Sequence, residues 1–398
     1  MVTQTEITAA ADAQGARPAR AIPSPRGFIP ALEGMRAFAA LGVVITHVAF
    51  QTGNSGASVL GRIWGRFDLA VALFFGLSGF LLWRSHAQAA RGMRPRPGAV
   101  RYLRSRVVRI MPAYLVLVVL VLLFLPDARG AGVSTWLANL TLTQVFVPLS
   151  LTGGLTQLWS LSVEVAFYLA LPVLAWLLCG LRGDRARYRI PVIAAACVLS
   201  LGWGFVTLPV PGGVNTENWL PGYVAWFGAG MLLAELTVSP PGRMYALAQR
   251  RIVMALIALF GFALSCTDLA GPPGLTQPSP WQYATKIALG AVFAYALLAP
   301  LVLGLKARTD GDRAAHKILA SPPALAVGRW SYAVFLWHLS VLALVFPAFG
   351  IRPFAGNMAL VWVLTVALTL PVASASFALI EEPARVRLAR WERRRSHV

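Results

Sequence analysis

Acidic residues are scarce in this chain. Fifteen of 398 residues are Asp or Glu, against 35 Lys and Arg. The charged share is 13%, roughly half that of an ordinary soluble domain. With 57% of the residues apolar, so few charges cannot clothe a water-facing surface. Cysteine is rarer still. Cys179, Cys197 and Cys266 are odd in number, fall in or at the ends of apolar runs, and show neither CxxC nor Cys/His spacing, so neither a disulfide framework nor a metal site is expected. Residues 1–30 are rich in Ala, Pro and Arg but lack the apolar core of a signal peptide, and read as a disordered tail. No internal repeat and no appended soluble domain is visible. The net charge of +20 raises the question of a nucleic-acid partner, but the cations sit in short loops between apolar stretches, which argues against one.

Long apolar runs are plentiful. Stretches able to span ~30 Å of hydrocarbon fall at 31–51, 68–83, 110–126, 157–180, 190–210, 219–238, 252–268, 282–304, 329–348 and 358–380. The expected fold is therefore an all-α polytopic membrane protein: about ten transmembrane helices over residues 31–384, around a central polar cavity. Ten spans put both termini on one side. Twenty-nine of the 35 cations lie in the tails and loops of that side, and Arg62, Arg66, Arg129 and Arg352 on the other. By the positive-inside bias, both termini are expected to be cytoplasmic, in a cell membrane. The loop at 127–156 carries apolar residues and is expected to dip back into the interface or to lid a cavity. The basic tail, 385–398, reads as an amphipathic or disordered segment on anionic membrane lipid.

Within the spans, ionisable residues stand out, because an ionisable group in a bilayer is costly and normally faces the bundle interior. Arg36 and His47 are eleven residues apart on the first span, which puts them on one helical face and ~16 Å apart along it. They are expected to line one cavity at two depths. Glu164, in Trp159-Ser-Leu-Ser-Val-Glu164, begins the fourth span and is expected in the outer half, at a depth where it could fix the tautomer of His47. The second span reads Phe74-Phe-Gly-Leu-Ser-Gly-Phe80; Gly76 and Gly79 invite close backbone approach, and Ser78 is its polar member, in chemistry or in packing. The loop before the third span holds Arg104, Arg106 and Arg109, followed by Pro112 and Tyr114. Clustered guanidinium groups at a cavity mouth suit a phosphorylated ligand, unless they are plain topogenic charge. On the ninth span, Ser331, Phe335 and His338 share a face, with Tyr332 beside them; His338 serves either the cavity or an interhelical hydrogen bond. Pro383 is expected to end the tenth helix, with Glu381 anchoring it to nearby arginines. Ser162 is a further candidate for the cavity wall. Glu235 and Lys286 carry no motif.

Taken in order, these stretches resemble the membrane-bound acyltransferase-3 family. The likeness is carried by Leu32-Glu-Gly-Met-Arg36 through His47, by Phe74–Phe80, by Arg106-Val-Val-Arg109 with Pro112 and Tyr114, by Trp159–Glu164, by Ser331–His338 and by Glu381-Glu-Pro383. One departure is Glu33, where the family usually has Asp. The resemblance implies an O-acyltransferase acting on sugars, with a cytoplasmic acyl-CoA, most simply acetyl-CoA, as donor. It implies that Arg104, Arg106 and Arg109 hold the donor phosphates, with Ser78 and Tyr114 also on the donor side. His47 would be a general base or a transient acyl carrier, Glu164 would orient it, and Arg36 would polarise the thioester carbonyl. Many members carry a fused extracytoplasmic hydrolase-like domain. None is seen here, which implies a one-step transfer or a separate partner protein. The residues alone leave two competing classes: a proton-coupled transporter of a polar or amphipathic solute, and a non-catalytic lipid-binding or sensing protein.

Overall fold

The computed structural model describes residues 28–274, 276–303 and 316–395, and among them every regular element is helical. Nearly all of the expected N-terminal tail, and the loop cations Lys306, Arg308 and Arg313, lie outside the described residues.

A helix occupies each of the ten expected stretches: α1 (Pro30–Gln51), α3 (Ala70–Ala90), α4 (Ala99–Phe124), α6 (Leu158–Leu177), α7 (Arg189–Ser200), α8 (Leu220–Leu236), α10 (Arg251–Ser265), α11 (Pro280–Leu303), α12 (Pro322–Ala348) and α13 (Met358–Ser376). Three short helices, α2 (Val59–Arg66), α5 (Val133–Leu140) and α9 (Arg243–Ala248), lie in connections, and α14 (Glu382–Arg395) closes the chain. Among the described residues, eight helical stretches are long and apolar enough to cross a membrane. α8 and α10, at 17 and 15 residues, are not among them; at 1.5 Å per residue they reach only ~26 and ~22 Å against ~30 Å of hydrocarbon.

Two boundaries moved for physical reasons. α4 begins eleven residues before the expected span, because the Arg-rich run 99–109 is polar by hydropathy yet continues the helix. Pro383 does not end the last helix. Phe377–Glu381 forms a π turn, in which the Glu382 N–H reaches back five residues to the Phe377 carbonyl. That wider turn absorbs the proline, whose ring and missing N–H disrupt an ordinary α turn, and the chain runs on as α14.

Two packed groups meet across the site. α1, α12 and α13 form one, around Val44, Val48, Val334 and Val345. The other gathers α3, α8 and α11, with α7 against α8 and α10 against α11. The α3–α8 seam depends on small residues. A Cβ on Gly230 would fall 1.8 Å from the Gly76 carbonyl oxygen, and one on Gly79 would fall 2.0 Å from that of Phe227. Outward-facing apolar side chains, such as Leu123 and Phe124 on α4 or Leu259 and Phe260 on α10, are exposed; they suit a hydrocarbon solvent. Glu235 is fully buried on α8, where it accepts from Trp83 Nε1 (2.8 Å), Arg91 Nη1 (2.6 Å) and Arg189 Nε (2.7 Å). Lys286 pairs with Asp68 at 2.5 Å.

Candidate active site

The start of α6 decides where the carboxylate lies. The preceding loop turns into the bundle instead of running along its surface. Gln157 Nε2 donates to the Leu336 carbonyl (2.8 Å) and Ser340 Oγ to that of Gly154 (3.1 Å), both near the middle of α12. Gln144 Nε2 donates to the Leu158 carbonyl (3.2 Å), and Asn139 Nδ2 to that of Ser150 (2.8 Å). α6 therefore begins inside the protein, and Glu164, six residues on, lies ~9 Å deeper. This places it in the same cavity as Arg36, not beside His47. The expectation of equal depth for Glu164 and His47 assumed a span starting at the interface.

Glu164 Oε1 accepts hydrogen bonds from the Ser78 hydroxyl and from the Tyr168 hydroxyl (2.6 Å). The cavity around it is also lined by Arg36, Arg109 and Ser331, with an apolar wall that includes Phe74 and Phe335. Two guanidinium groups thus face one carboxylate in a confined space. Glu33 lies 4.0 Å from Arg36 on the next turn of α1, and the Arg106 guanidinium lies over the Tyr168 ring at 5.9 Å. The cavity measures about 50 Å³. That is room for a few waters or an acetyl group, and far too little for a nucleotide.

His47 is not among the residues lining this cavity. Its ring faces His338 instead, with 5.2 Å between centroids and 44° between planes. His338 is fully buried, and its Nδ1 lies 2.8 Å from the Phe335 carbonyl oxygen and 3.2 Å from that of Val334. Carbonyl oxygens only accept, so this network assigns the hydrogen to Nδ1 and leaves Nε2 with a free lone pair. Nε2 is buried without a hydrogen-bond partner among the described residues. Phe335 separates the cavity-lining Ser331 from His338 along α12.

The other candidates divide. Tyr332 lines the cavity and donates to the Ile110 carbonyl (2.9 Å). Arg104 turns away to Glu392 (2.6 Å) and lies over the Trp391 ring (4.3 Å), tying α14 to α4. Tyr114 is fully buried, its hydroxyl donating to the Asn139 carbonyl, where it pins the inturned loop. Ser162 donates back to the Leu158 carbonyl (3.3 Å), and the Trp159 ring packs on Tyr223 (5.3 Å). Glu381 is buried in the fields of Arg109 and Arg385, with its Oε1 unpartnered among the described residues. Sequence reading passed over Tyr168, although its position four residues after Glu164 puts both on one helical face. It also passed over Gln157 and the Phe74–Phe335 contact, neither of which has a local signature.

Comparison with known proteins adds three findings. The family described as an acyltransferase domain, the third acyltransferase family, matches residues 29–378. The acyltransferase MdmB of Streptomyces mycarofaciens is 32% identical over 335 residues, covering 79% of each chain. The peptidoglycan O-acetyltransferase OatA of Listeria monocytogenes is 24% identical over 90% of this chain and 56% of its own, and the O-acetyltransferase OatA of Staphylococcus aureus is 26% identical over 91% and 58%. The chain thus spans a little over half of the two OatA proteins. No solved structure matches it significantly.

Proposed function

The chain belongs to the acyltransferase-3 family, and we propose that it is an integral-membrane O-acyltransferase that moves an acetyl or other short acyl group from cytoplasmic acyl-CoA to a hydroxyl of a carbohydrate-containing acceptor. The observation that carries this reading is the arrangement of Arg36, Arg109 and Glu164 around a cavity of acetyl size, with the His47–His338 pair beyond its aromatic wall. An envelope glycan, a glycolipid and a glycosylated metabolite are all acceptors of the required chemistry; the names of the OatA relatives favour the first. The excess of Lys and Arg in the tails and loops of one side supports a cytoplasmic position for both termini.

In this reading Arg36 guides the pantetheine arm, and the thioester carbonyl passes the Phe74–Phe335 pair to reach His47, ~16 Å further along α1. The acceptor oxygen bonds to the carbonyl carbon, its proton goes to His47, the C–S bond breaks, and the proton returns to the thiolate of coenzyme A. Alternatively, a His47 ring nitrogen bonds to the acyl carbon as the C–S bond breaks, and the departing thiolate takes the ring's N–H proton. The acceptor oxygen then displaces the imidazole, which takes the acceptor's proton. Glu164, held by Ser78 and Tyr168, balances the charge of Arg36 and Arg109 instead of orienting His47. A transporter would share the buried charges, but membership of an acyltransferase family favours group transfer.

The test is direct. Purified protein with radiolabelled acetyl-CoA should release coenzyme A in step with label entering a glycan or glycolipid extract, and cells lacking the protein should lose those esters. Uptake of a solute into vesicles with no thiol release would replace this reading with transport.

A further inference from the structure

A second, larger cavity of about 310 Å³ opens at the basic end of the bundle, and neither the family's motifs nor the mechanism above uses it. It lies between the α3–α4 connection and the end of α6. Arg96, Tyr102, Trp176, Cys179, Arg182 and Arg189 contribute to its wall, and no carboxylate does. Arg189 is already committed to Glu235 (2.7 Å), and its Nη1 donates to the Leu178 carbonyl (3.1 Å), which ties the start of α7 to the end of α6 and fixes that wall. Arg96 and Arg182 form no ion pair among the described residues and are exposed at the rim.

The two cavities lie end to end along the α4–α6 seam. On α6, Glu164 and Tyr168 line the inner one, and Pro172, Ala175 and Cys179 the outer. These positions follow at intervals of three or four residues, so they form one helical face. On α4, Arg109 and Ile110 line the inner cavity and Tyr102 the outer. The inner cavity cannot hold a nucleotide. Two arginines of the α4 run are engaged elsewhere: Arg101 and Arg104 both pair with Glu392, at 3.0 and 2.6 Å, while Arg106 lies over the Tyr168 ring.

We propose that this outer cavity binds the phosphate-bearing nucleotide of the acyl donor, with Arg96 and Arg182 on its phosphates and the rings of Tyr102 and Trp176 beside its base. The proposal rests on the reading of the donor as acyl-CoA. It commits the long axis of the donor to the α4–α6 seam, thioester toward Arg36 and phosphates at the basic face. Free guanidinium forks recognise phosphate, and aromatic faces recognise a base.

Two measurements on the full chain in lipid nanodiscs test it. In the first, binding of coenzyme A is titrated against wild type, the double variant Arg96→Ala with Arg182→Ala, and the double variant Arg106→Ala with Arg109→Ala. The first double variant should raise Kd about tenfold or more, as expected for two lost charge-assisted contacts. In the second, a Cys197→Ser, Cys266→Ser background leaves Cys179 as the remaining thiol. Adenosine 3′,5′-bisphosphate, which has neither thiol nor pantetheine arm, should slow its alkylation about tenfold, and should fail to do so once Arg96 and Arg182 are replaced. If wild type binds coenzyme A while Arg96 and Arg182 prove indifferent and the bisphosphate leaves Cys179 reactive, the placement is wrong and the donor reading stands. If wild type binds no coenzyme A, the donor reading falls and takes this proposal with it.

Discussion

Phe74 and Phe335 meet edge to face across the bundle, 6.5 Å between ring centroids, and both line the cavity that holds Arg36 and Glu164. On its far side Phe335 lies 6.1 Å from the His338 ring, which in turn neighbours His47. The aromatic pair therefore divides the charged compartment from the imidazoles. In the proposed reaction an acyl group has to pass it, and the same pair keeps water from crossing the other way.

Replacing Phe335 with Ala should open that partition. We expect acetyl-CoA hydrolysis without acceptor to rise about tenfold relative to transfer, a change of about 1.4 kcal/mol in barrier. The check is thiol release with and without acceptor; an unchanged ratio of hydrolysis to transfer would mean that Phe335 does not separate water from the thioester.

Tyr168→Phe removes one of the two hydroxyl donors to Glu164. A hydrogen bond to a charged group is worth about 1.5–3 kcal/mol, so kcat/KM should fall roughly ten- to a hundredfold. Steady-state kinetics with acetyl-CoA reads this out. Wild-type kinetics in the variant would remove Glu164 and its donors from the reaction.

Glu235→Gln should destabilise the fold while leaving the cavity of Arg36 and Glu164 in place. It leaves Arg91 and Arg189 sharing a neutral amide in a buried setting, and breaking a buried pair costs about 3–5 kcal/mol. Thermal unfolding in detergent should show a clear drop in Tm. An unchanged Tm would show that water or lipid already satisfies the two cations.

Gly230→Ala puts a Cβ 1.8 Å from the Gly76 carbonyl oxygen, so α3 and α8 must separate. The yield of monodisperse protein should fall sharply. Gly212→Ala, where a Cβ meets nothing within 4 Å, should behave as wild type. Equal yields for both would show that the α3–α8 seam tolerates separation.

Sequence spacing carried the close approach that Gly76 and Gly79 allow, but not the separation of His47 from the cavity that Arg36 lines. It could not carry the depth of Glu164, because the hydrogen bonds of Gln157 and Ser340 that draw the loop inward join residues far apart in the chain. Arg104 read as a phosphate ligand for a similar reason: its partner, Glu392, is 288 residues away. Hydropathy trimmed α4 at its arginines, although a helix carries polar residues readily at its end. The π turn before Pro383 is a backbone accommodation that no residue type announces.

The most direct measurement is acyl transfer by His47→Ala in nanodiscs, with radiolabelled acetyl-CoA and a hydroxyl acceptor, alongside coenzyme A affinity in the same preparation. The account predicts transfer lowered about 10²- to 10⁴-fold, with coenzyme A bound as tightly as by wild type. Transfer at the wild-type rate by folded His47→Ala protein would contradict it.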